Sequence, residues 1–369
     1  MERGKGGKRD PQILESCIGE IERLDDKLIS ILTRRQEVSA EIGKLRREFG
    51  IDTLDQATEQ AMLNRLASKG HDDLSAETIR TIFSEIISAA RSVQKIPIVA
   101  FLGPKATFSH EAAMGFFGHS SQYRASESIE QVFSLVEEDL CQYGVVPVEN
   151  SYEGSVRNTL DLFYQYDLKI SAERFSRIRQ HLLSKASHLN EIERLLSHPM
   201  AIAQCRVWLN THLPTTPVEE VASTALAAKM ASNDPTACAI GCRLAGENFN
   251  LNILEQNIED IPDNYTRFLV IGKRISGPTG KDKTSILFLL NHRPGALHKA
   301  LGALARRNIN LTQIESRPMK TRNWEYLFFV DVEGHEQEDR VDNALMEMEE
   351  HCVFLKRLGS YPSGNESGD

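Results

Sequence analysis

Two pairs of adjacent residues hold most of the reactive groups that this sequence places in suggestive surroundings. The run GVVPVENS ends an apolar stretch on Glu149 and Asn150. A carboxylate and an amide there are costly to bury unless they meet a ligand or one another, and capping a loop is the plain alternative. The run NYTRF sets Thr266 beside Arg267, just ahead of the apolar FLVIG. A hydroxyl can hydrogen-bond or protonate a leaving oxygen. A guanidinium can hold a carboxylate, or it can serve a structural ion pair. ATFSH (106–110) and ASTAL (222–226) put hydroxyls, Ser223 and Thr224 among them, immediately before helical patterns. Such caps leave backbone N–H groups and a positive dipole end that suit an anion, although an ordinary helix cap needs no ligand.

These residues need an α/β scaffold to bring them together. IPIVAFLG (96–103) is a short apolar run closed by glycine, and GPKATFSHEAAMGFF then turns into helix. YGVVPVEN (143–150) reads as a buried strand, and TACAIGCRLAGENF (236–249) as strand then helix. Alternation of this kind predicts a sheet with ligands at the carboxyl ends of its strands. Upstream, residues 11–94 read as helix only. Cys17, Ile21, Leu24, Leu28, Ile31, Arg35, Val38, Ile42 and Leu45 recur at alternating steps of four and three, a heptad seam along one helix roughly 50 Å long. Gly50 and Asp52 break it. A second helix is expected from about Asp55 to Ala67, and a third after the cap Ser75. A seam that long needs a partner, so a helical homodimer is expected, with a homotetramer as the larger possibility. Downstream of ISGPTGKDK (275–283), the order strand, helix, strand, strand, helix, strand is the ferredoxin-like βαββαβ arrangement. The expected units are therefore 1–95, 96–275 and 283–361. The 275–283 segment has the glycine and lysine of a phosphate loop, but at the wrong spacing.

Composition removes several classes. The net charge of −9, from 43 basic and 52 acidic residues, disfavours nucleic-acid and anionic-membrane partners. No apolar run reaches the length of a membrane span. Met1 to Arg9 is basic with no apolar stretch behind it, and reads as a disordered lead-in rather than a secretory signal. The 6 cysteines (17, 141, 205, 238, 242, 352) form no CxxC pair, so buried reduced thiols in a cytoplasmic protein are expected. No ligand cluster for a metal is visible, and no cofactor is expected.

FLGPKATFS, GVVPVENSYEGSV, SHPMAIAQC, ASTALAA, AGENFNLNIL and NYTRF occur in the order of the prephenate dehydratase family, which this part of the chain resembles. The whole chain resembles the bifunctional chorismate mutase/prephenate dehydratase family. The resemblance implies Thr266 as the catalytic residue, with Glu149, Asn150, Ser197 and Gln204 around prephenate. It lets Arg267 and the helix caps hold the two carboxylates of the substrate. NHRPGALHKAL (291–301) and IESRP (314–318) resemble the ACT regulatory module of phenylalanine-regulated dehydratases. That resemblance implies L-phenylalanine as effector, with Gly295, Ala296, Leu297, Asn310, Glu315, Ser316 and Arg317 around it. Gly295 would let a backbone approach the ligand, and Glu315 and Arg317 could instead pair with each other.

The helical segment resembles the all-helical chorismate mutases. Arg35, Arg46, Asp55, Glu59 and Gln94 fall on that family's site positions. Ile18 and Thr58 stand where the family has arginines, Arg46 where it has a lysine, and Ala90 where it has a serine. Because chorismate is a dianion, two missing cations predict weak or absent mutase activity. The alternatives are a fully bifunctional enzyme, or a non-catalytic amino-acid sensor built on the same domains.

Overall fold

The computed structural model describes residues 11–49, 56–318 and 326–364. The lead-in, Asp55, and the breakers Gly50 and Asp52 lie outside the described residues.

The first three helices are α1 (Pro11–Phe49), α2 (Gln56–Ala67) and α3 (Ala76–Gln94). The Ser75 side chain caps α3 by accepting from the Thr78 N–H at 3.1 Å. Apart from Arg35, the residues of the heptad seam are exposed among the described residues. Leu24, Leu28 and Ile31 are 54%, 52% and 66% exposed. The face of α1 that meets α3 lies beside the seam and shares Arg35 with it, carrying that half-buried arginine, the half-buried Arg46 and the buried Ser39 and Gly43. A Cβ at Gly43 would come within 2.8 Å of the Gln94 side chain, so the two helices touch where α1 has no side chain.

The central region has two lobes. The first holds β1 (Ile98–Leu102), α4 (Phe108–Phe117), β2 (Gln122–Ser126), α5 (Ile129–Glu137), β3 (Tyr143–Asn150), β4 (Gly154–Ser155), α6 (Arg157–Gln165) and β5 (Lys169–Arg177). The second holds β6 (His181–Ser184), β7 (Arg194–Ser197), α7 (Pro199–Gln204), α8 (Arg206–His212), β8 (Val218–Glu220), α9 (Thr224–Ala231), β9 (Ala237–Gly241), α10 (Arg243–Phe249) and β10 (Asn252–Glu255). The chain then returns to the first sheet as β11 (Tyr265–Gly272), giving the order β2-β1-β3-β11-β5 with β4 beside β3. The second sheet runs β10-β6-β9-β7-β8. Strands β1 and β3 are parallel to each other, as are β7 and β9, so carboxyl ends gather at one edge of each sheet. Ala106, in the loop after β1, packs among Leu196, Ala225 and Cys242 of the second lobe, so the two edges face each other there.

The last region is β12 (Asp282–Leu289), α11 (Ala296–Ala305), β13 (Leu311–Pro318), β14 (Tyr326–Glu333), α12 (Asp339–Glu349) and β15 (Phe354–Pro362). Its antiparallel sheet has the order β13-β14-β12-β15, the βαββαβ arrangement expected. The second half of β12, Ile286 to Leu289, is apolar on both sides because both sides are covered. Ile286 and Phe288 pack under the two helices, while Leu287 joins Phe329, Tyr361, Ile170 and Leu269 in a core shared with the first lobe.

The helical region is tied to the first lobe at the carboxyl end of α4. The Phe117 carbonyl accepts from Ser88 Oγ at 2.7 Å and from Arg91 Nη2 at 3.1 Å. Of the cysteines, Cys141, Cys205, Cys238 and Cys242 are buried as expected, but Cys17 is exposed on α1. No described helix is long and apolar enough to cross a membrane.

Candidate active site

Strands β3 and β11 run antiparallel with Thr266 opposite Asn150 and Arg267 opposite Glu149. Asn150 Nδ2 donates to Thr266 Oγ1 at 2.9 Å and to Asn264 Oδ1 at 2.8 Å. Its Oδ1 accepts from the N–H groups of Tyr152 and Glu153, each at 3.0 Å. Two backbone donors at one end of the amide fix its orientation, so the Thr266 hydroxyl must accept from Asn150. The threonine's own proton is thereby left to point elsewhere. Thr266 is 9% exposed, close enough to the surface to meet a small molecule and dry enough to strengthen the bond it would make.

Successive strand residues point to opposite faces. The neighbours Glu149 and Arg267 therefore leave the Thr266 face, and the structure does not bring them together with Thr266 at one surface. Arg267 is 4% exposed. Its Nε donates to Glu173 Oε2 at 2.8 Å, and Nη2 lies 2.6 Å from Asp331 Oδ2 and donates to the Tyr361 hydroxyl at 3.0 Å. Of the two roles open to it, this arginine takes the structural ion pair. Burial alone would lower its pKa, but Asp331, Tyr361 and Glu173 together raise it, so it stays charged. Glu149 accepts from Gln313 Nε2 of β13 at 2.9 Å and thus faces the C-terminal region.

In the second lobe, Ser197 is fully buried and its Oγ donates to the Ile240 carbonyl at 2.9 Å, tying β7 to β9. Gln204 accepts from Gln180 Nε2 at 2.9 Å through its side-chain oxygen, and the other end of the buried Gln180 amide, Oε1, has no hydrogen-bond partner among the described residues. Ser223 caps α9 by accepting from the Leu226 N–H at 3.0 Å, with Thr224 as the first helical residue.

Two groups on α4 were not singled out by sequence. His110 stacks on Phe101 with ring centroids 4.5 Å apart and accepts from the Ala106 N–H through Nδ1 at 3.1 Å. Burial, helped by Lys105, pushes its pKa down to about 4, so the ring is neutral. Glu111 on the next position is pushed up to about 7, mainly by burial. The Leu244 N–H, Arg174 and Arg243 oppose that rise and Glu247 adds to it. Neither residue breaks the helical pattern, so only the packing of α4 against the second lobe reveals them.

On the helical region, Arg46 Nη1 donates to Gln94 Oε1 at 3.4 Å, which brings two expected site residues together. Arg35 donates to the Ile86 carbonyl at 3.3 Å and approaches the Met62 sulfur at 3.8 Å. Glu59 lies 3.6 Å from Arg91 Nε, a buried cation that the sequence pattern alone does not single out. Ile18 is 49% exposed on the part of α1 beyond the other helices.

In the C-terminal region, Gly295 sits at φ +81° as the N-cap of α11, with Ala296 and Leu297 as the first helical residues. Asn310 donates to Glu333 Oε1 at 3.0 Å, at the opposite end of the sheet from Gly295. Glu315 and Arg317 do not pair with each other. Glu315 accepts from Ser155 Oγ at 2.8 Å, and Arg317 Nη2 donates to Asp161 Oδ2 at 3.3 Å. Ser316 lies between them on the other face of β13.

Three family models match in order: chorismate mutase type II over residues 17–95, prephenate dehydratase over 99–276 and the ACT domain over 284–350. A bifunctional chorismate mutase/prephenate dehydratase of Aquifex aeolicus is 45% identical over 347 residues, 93% of this chain and 96% of the relative. Among solved structures, a prephenate dehydratase from Arthrobacter aurescens in complex with L-Phe is 32% identical with a TM-score of 0.67, covering 74% of this chain and 92% of that one. A protein described as a quorum-quenching acylase is 30% identical with the same TM-score of 0.67, covering 72% and 98%. The expectation of weak mutase activity, drawn from Ile18 and Thr58, finds no support in these matches, since the Aquifex relative is named for both activities.

Proposed function

Because the chain belongs to the bifunctional chorismate mutase/prephenate dehydratase family, we propose that it converts chorismate to prephenate and prephenate to phenylpyruvate, carbon dioxide and water. L-Phenylalanine is the feedback effector. The observation that carries the dehydratase half is the Asn150–Thr266 bond. Prephenate loses a ring hydroxyl and a carboxylate together, and the gain of aromaticity drives the step. The protein's part is to align the breaking bonds and to make hydroxide a better leaving group. A threonine whose oxygen is already occupied by an amide donor offers its proton in a fixed direction, which suits a hydrogen bond to the leaving oxygen. Helix caps such as Ser223 and Thr224 suit the carboxylates.

For the mutase half, Arg35 and Arg46 both reach from α1 to α3, the first at the Ile86 carbonyl and the second at Gln94, and offer two cations for a dianion. The exposed seam of α1 supports a homodimer, and the placement of Gly295 and Asn310 supports the same reading. They lie at opposite ends of one sheet, about six residues and roughly 20 Å apart along β14. An effector site using both needs two copies arranged head to tail, as a homodimer or homotetramer provides. The L-Phe complex of the Arthrobacter relative supports the choice of effector. A cytoplasmic location is in keeping with the biosynthetic roles for which the relatives are named.

The test is steady-state turnover of full-length protein with chorismate and with prephenate as separate substrates. Both should turn over. If Thr266→Ala stayed within a few-fold of wild type on prephenate, the assignment of the catalytic hydroxyl would be wrong.

A further inference from the structure

One amide of the C-terminal region holds the chain neighbours of both candidate site residues. Gln313 Nε2 donates to Glu149 Oε2 at 2.9 Å, and its Oε1 accepts from Arg267 Nη1. Glu149 and Arg267 are cross-strand partners and stand next in sequence to Asn150 and Thr266, which are themselves paired. The amide has only one workable orientation. A guanidinium offers donors alone and a carboxylate acceptors alone, so reversing the amide would set like against like at both ends. The two ends differ in how firmly they are held. Arg267 keeps Glu173, Asp331 and Tyr361 whatever Gln313 does. Among the described residues, Gln313 is the one side-chain partner of the Glu149 carboxylate. Gln313 lies on β13, the edge strand of its sheet, two residues before Glu315 and its bond to Ser155.

We propose that Gln313 is a positioning residue that carries effector occupancy to the dehydratase site, with Arg267 as its fixed end and Glu149 as its movable one. The inference rests on reading the chain as a phenylalanine-responsive dehydratase. A displacement of β13 by about an ångström breaks a hydrogen bond that is already near its ordinary length. Glu149 is then released, and the end of β3 that aims Asn150 at Thr266 loses its support on the opposite face. Only residues one step away from the chemistry move, so the signal crosses the sheet without any effector group entering the cleft.

The test uses full-length wild type, Gln313→Met and Gln313→Glu. Phenylalanine binding is measured by calorimetry, and kcat and KM for prephenate are measured across phenylalanine concentrations. In wild type the effector should change turnover about fivefold or more, a coupling of ordinary size. In Gln313→Met, phenylalanine should bind within about threefold of wild type while its effect on turnover falls below about 1.5-fold. Gln313→Glu sets a second carboxylate against Glu149. Its response should be absent at alkaline pH and return toward acid, where one shared proton bridges the pair. A Gln313→Met protein that binds phenylalanine and responds fully would overturn the relay while leaving the dehydratase reading intact. Should that variant fail to fold, a Gln313→Glu response equal to wild type at every pH overturns it equally. Wild type that ignores phenylalanine overturns both relay and regulation, and wild type inert on prephenate overturns the enzymatic reading itself.

Discussion

The Asn150 side-chain amide donates to the Thr266 hydroxyl at 2.9 Å, and Asn150 can do so only because Tyr152 and Glu153 hold its oxygen from the other side. The direction of the threonine proton is thus set three residues away, in the turn that follows β3. Asn150→Asp keeps the size but replaces the donor with an acceptor, which turns the hydroxyl proton back toward the strand. We expect kcat on prephenate to fall about 100-fold, close to the loss seen when one positioned donor is removed from a reacting oxygen. KM should change far less. Thr266→Ser should keep activity within about tenfold, since the hydroxyl and not the methyl does the work. An Asn150→Asp enzyme of near-normal kcat would refute the orientation argument.

The Arg267 cluster predicts a stability effect separable from catalysis. Arg267→Met leaves Asp331, 1% exposed at the side chain, buried without its cation, and leaves Glu173, 0% exposed, with Lys283 alone at 2.8 Å. Removing one member of a buried pair costs about 3–5 kcal/mol. Denaturant unfolding of the variant should show a loss of that order, and a loss below about 1 kcal/mol would mean that the carboxylates find other partners. Because Asp331 belongs to β14 and Glu173 to β5, the same substitution should loosen the C-terminal region from the first lobe.

Glu111 predicts a pH dependence of definite sign. Its folded pKa of about 7 lies above the ordinary 4.5, chiefly through burial. The folded state therefore holds this proton more tightly than the unfolded chain. The associated stability is complete below about pH 4.5 and is lost as pH rises through about 7. The full difference is about 3 kcal/mol. Glu111→Gln should flatten the unfolding free energy over that window. His110 works in the opposite sense. Its folded pKa of about 4 lies below the ordinary 6.5, so its contribution is present above pH 6.5 and is lost as pH falls toward 4. A Glu111→Gln curve parallel to wild type between pH 4.5 and 7 would contradict the burial argument.

The exposed seam of α1 predicts self-association. Leu24 and Leu28, each more than half exposed, fall at neighbouring heptad positions. Replacing both with Glu places charges in any interface built on that stripe. Sedimentation at matched concentrations should show the variant at a lower mass than wild type while its helical content is kept. Equal masses would place the assembly contact elsewhere.

Much of this fold is readable from sequence because its strands are short apolar runs closed by glycine or polar residues. The βαββαβ order of the last region follows from alternating patterns that no neighbouring segment disturbs. The site is less readable, for a geometric reason. Glu149 beside Asn150, and Thr266 beside Arg267, look like two functional pairs in a linear text. Strand pleating assigns one member of each pair to one face of the sheet and the other to the domain contact on the opposite face, and only the register of β3 against β11 decides which is which. Glu315 and Arg317 are a similar case. They do share a face of β13, yet each reaches past the other to a different element, Ser155 and Asp161. The α1 pattern shows a stripe of apolar residues but cannot say that α3 packs beside it, where Gly43 admits Gln94.

The tie at Phe117 bears on how such a chain could be divided. Helix α4 carries His110 and Glu111 near its beginning, while its last carbonyl is held by Ser88 and Arg91 from the helical region, with Ser121 as a local donor at 3.2 Å. A gene split near Lys95 would cut away two of those three donors. The shorter product would have to supply replacements at the far end of the helix to keep the near end seated against the second lobe. In this chain the mutase-like portion is a scaffold member, and fission would be costly for a reason unrelated to any reaction it catalyses.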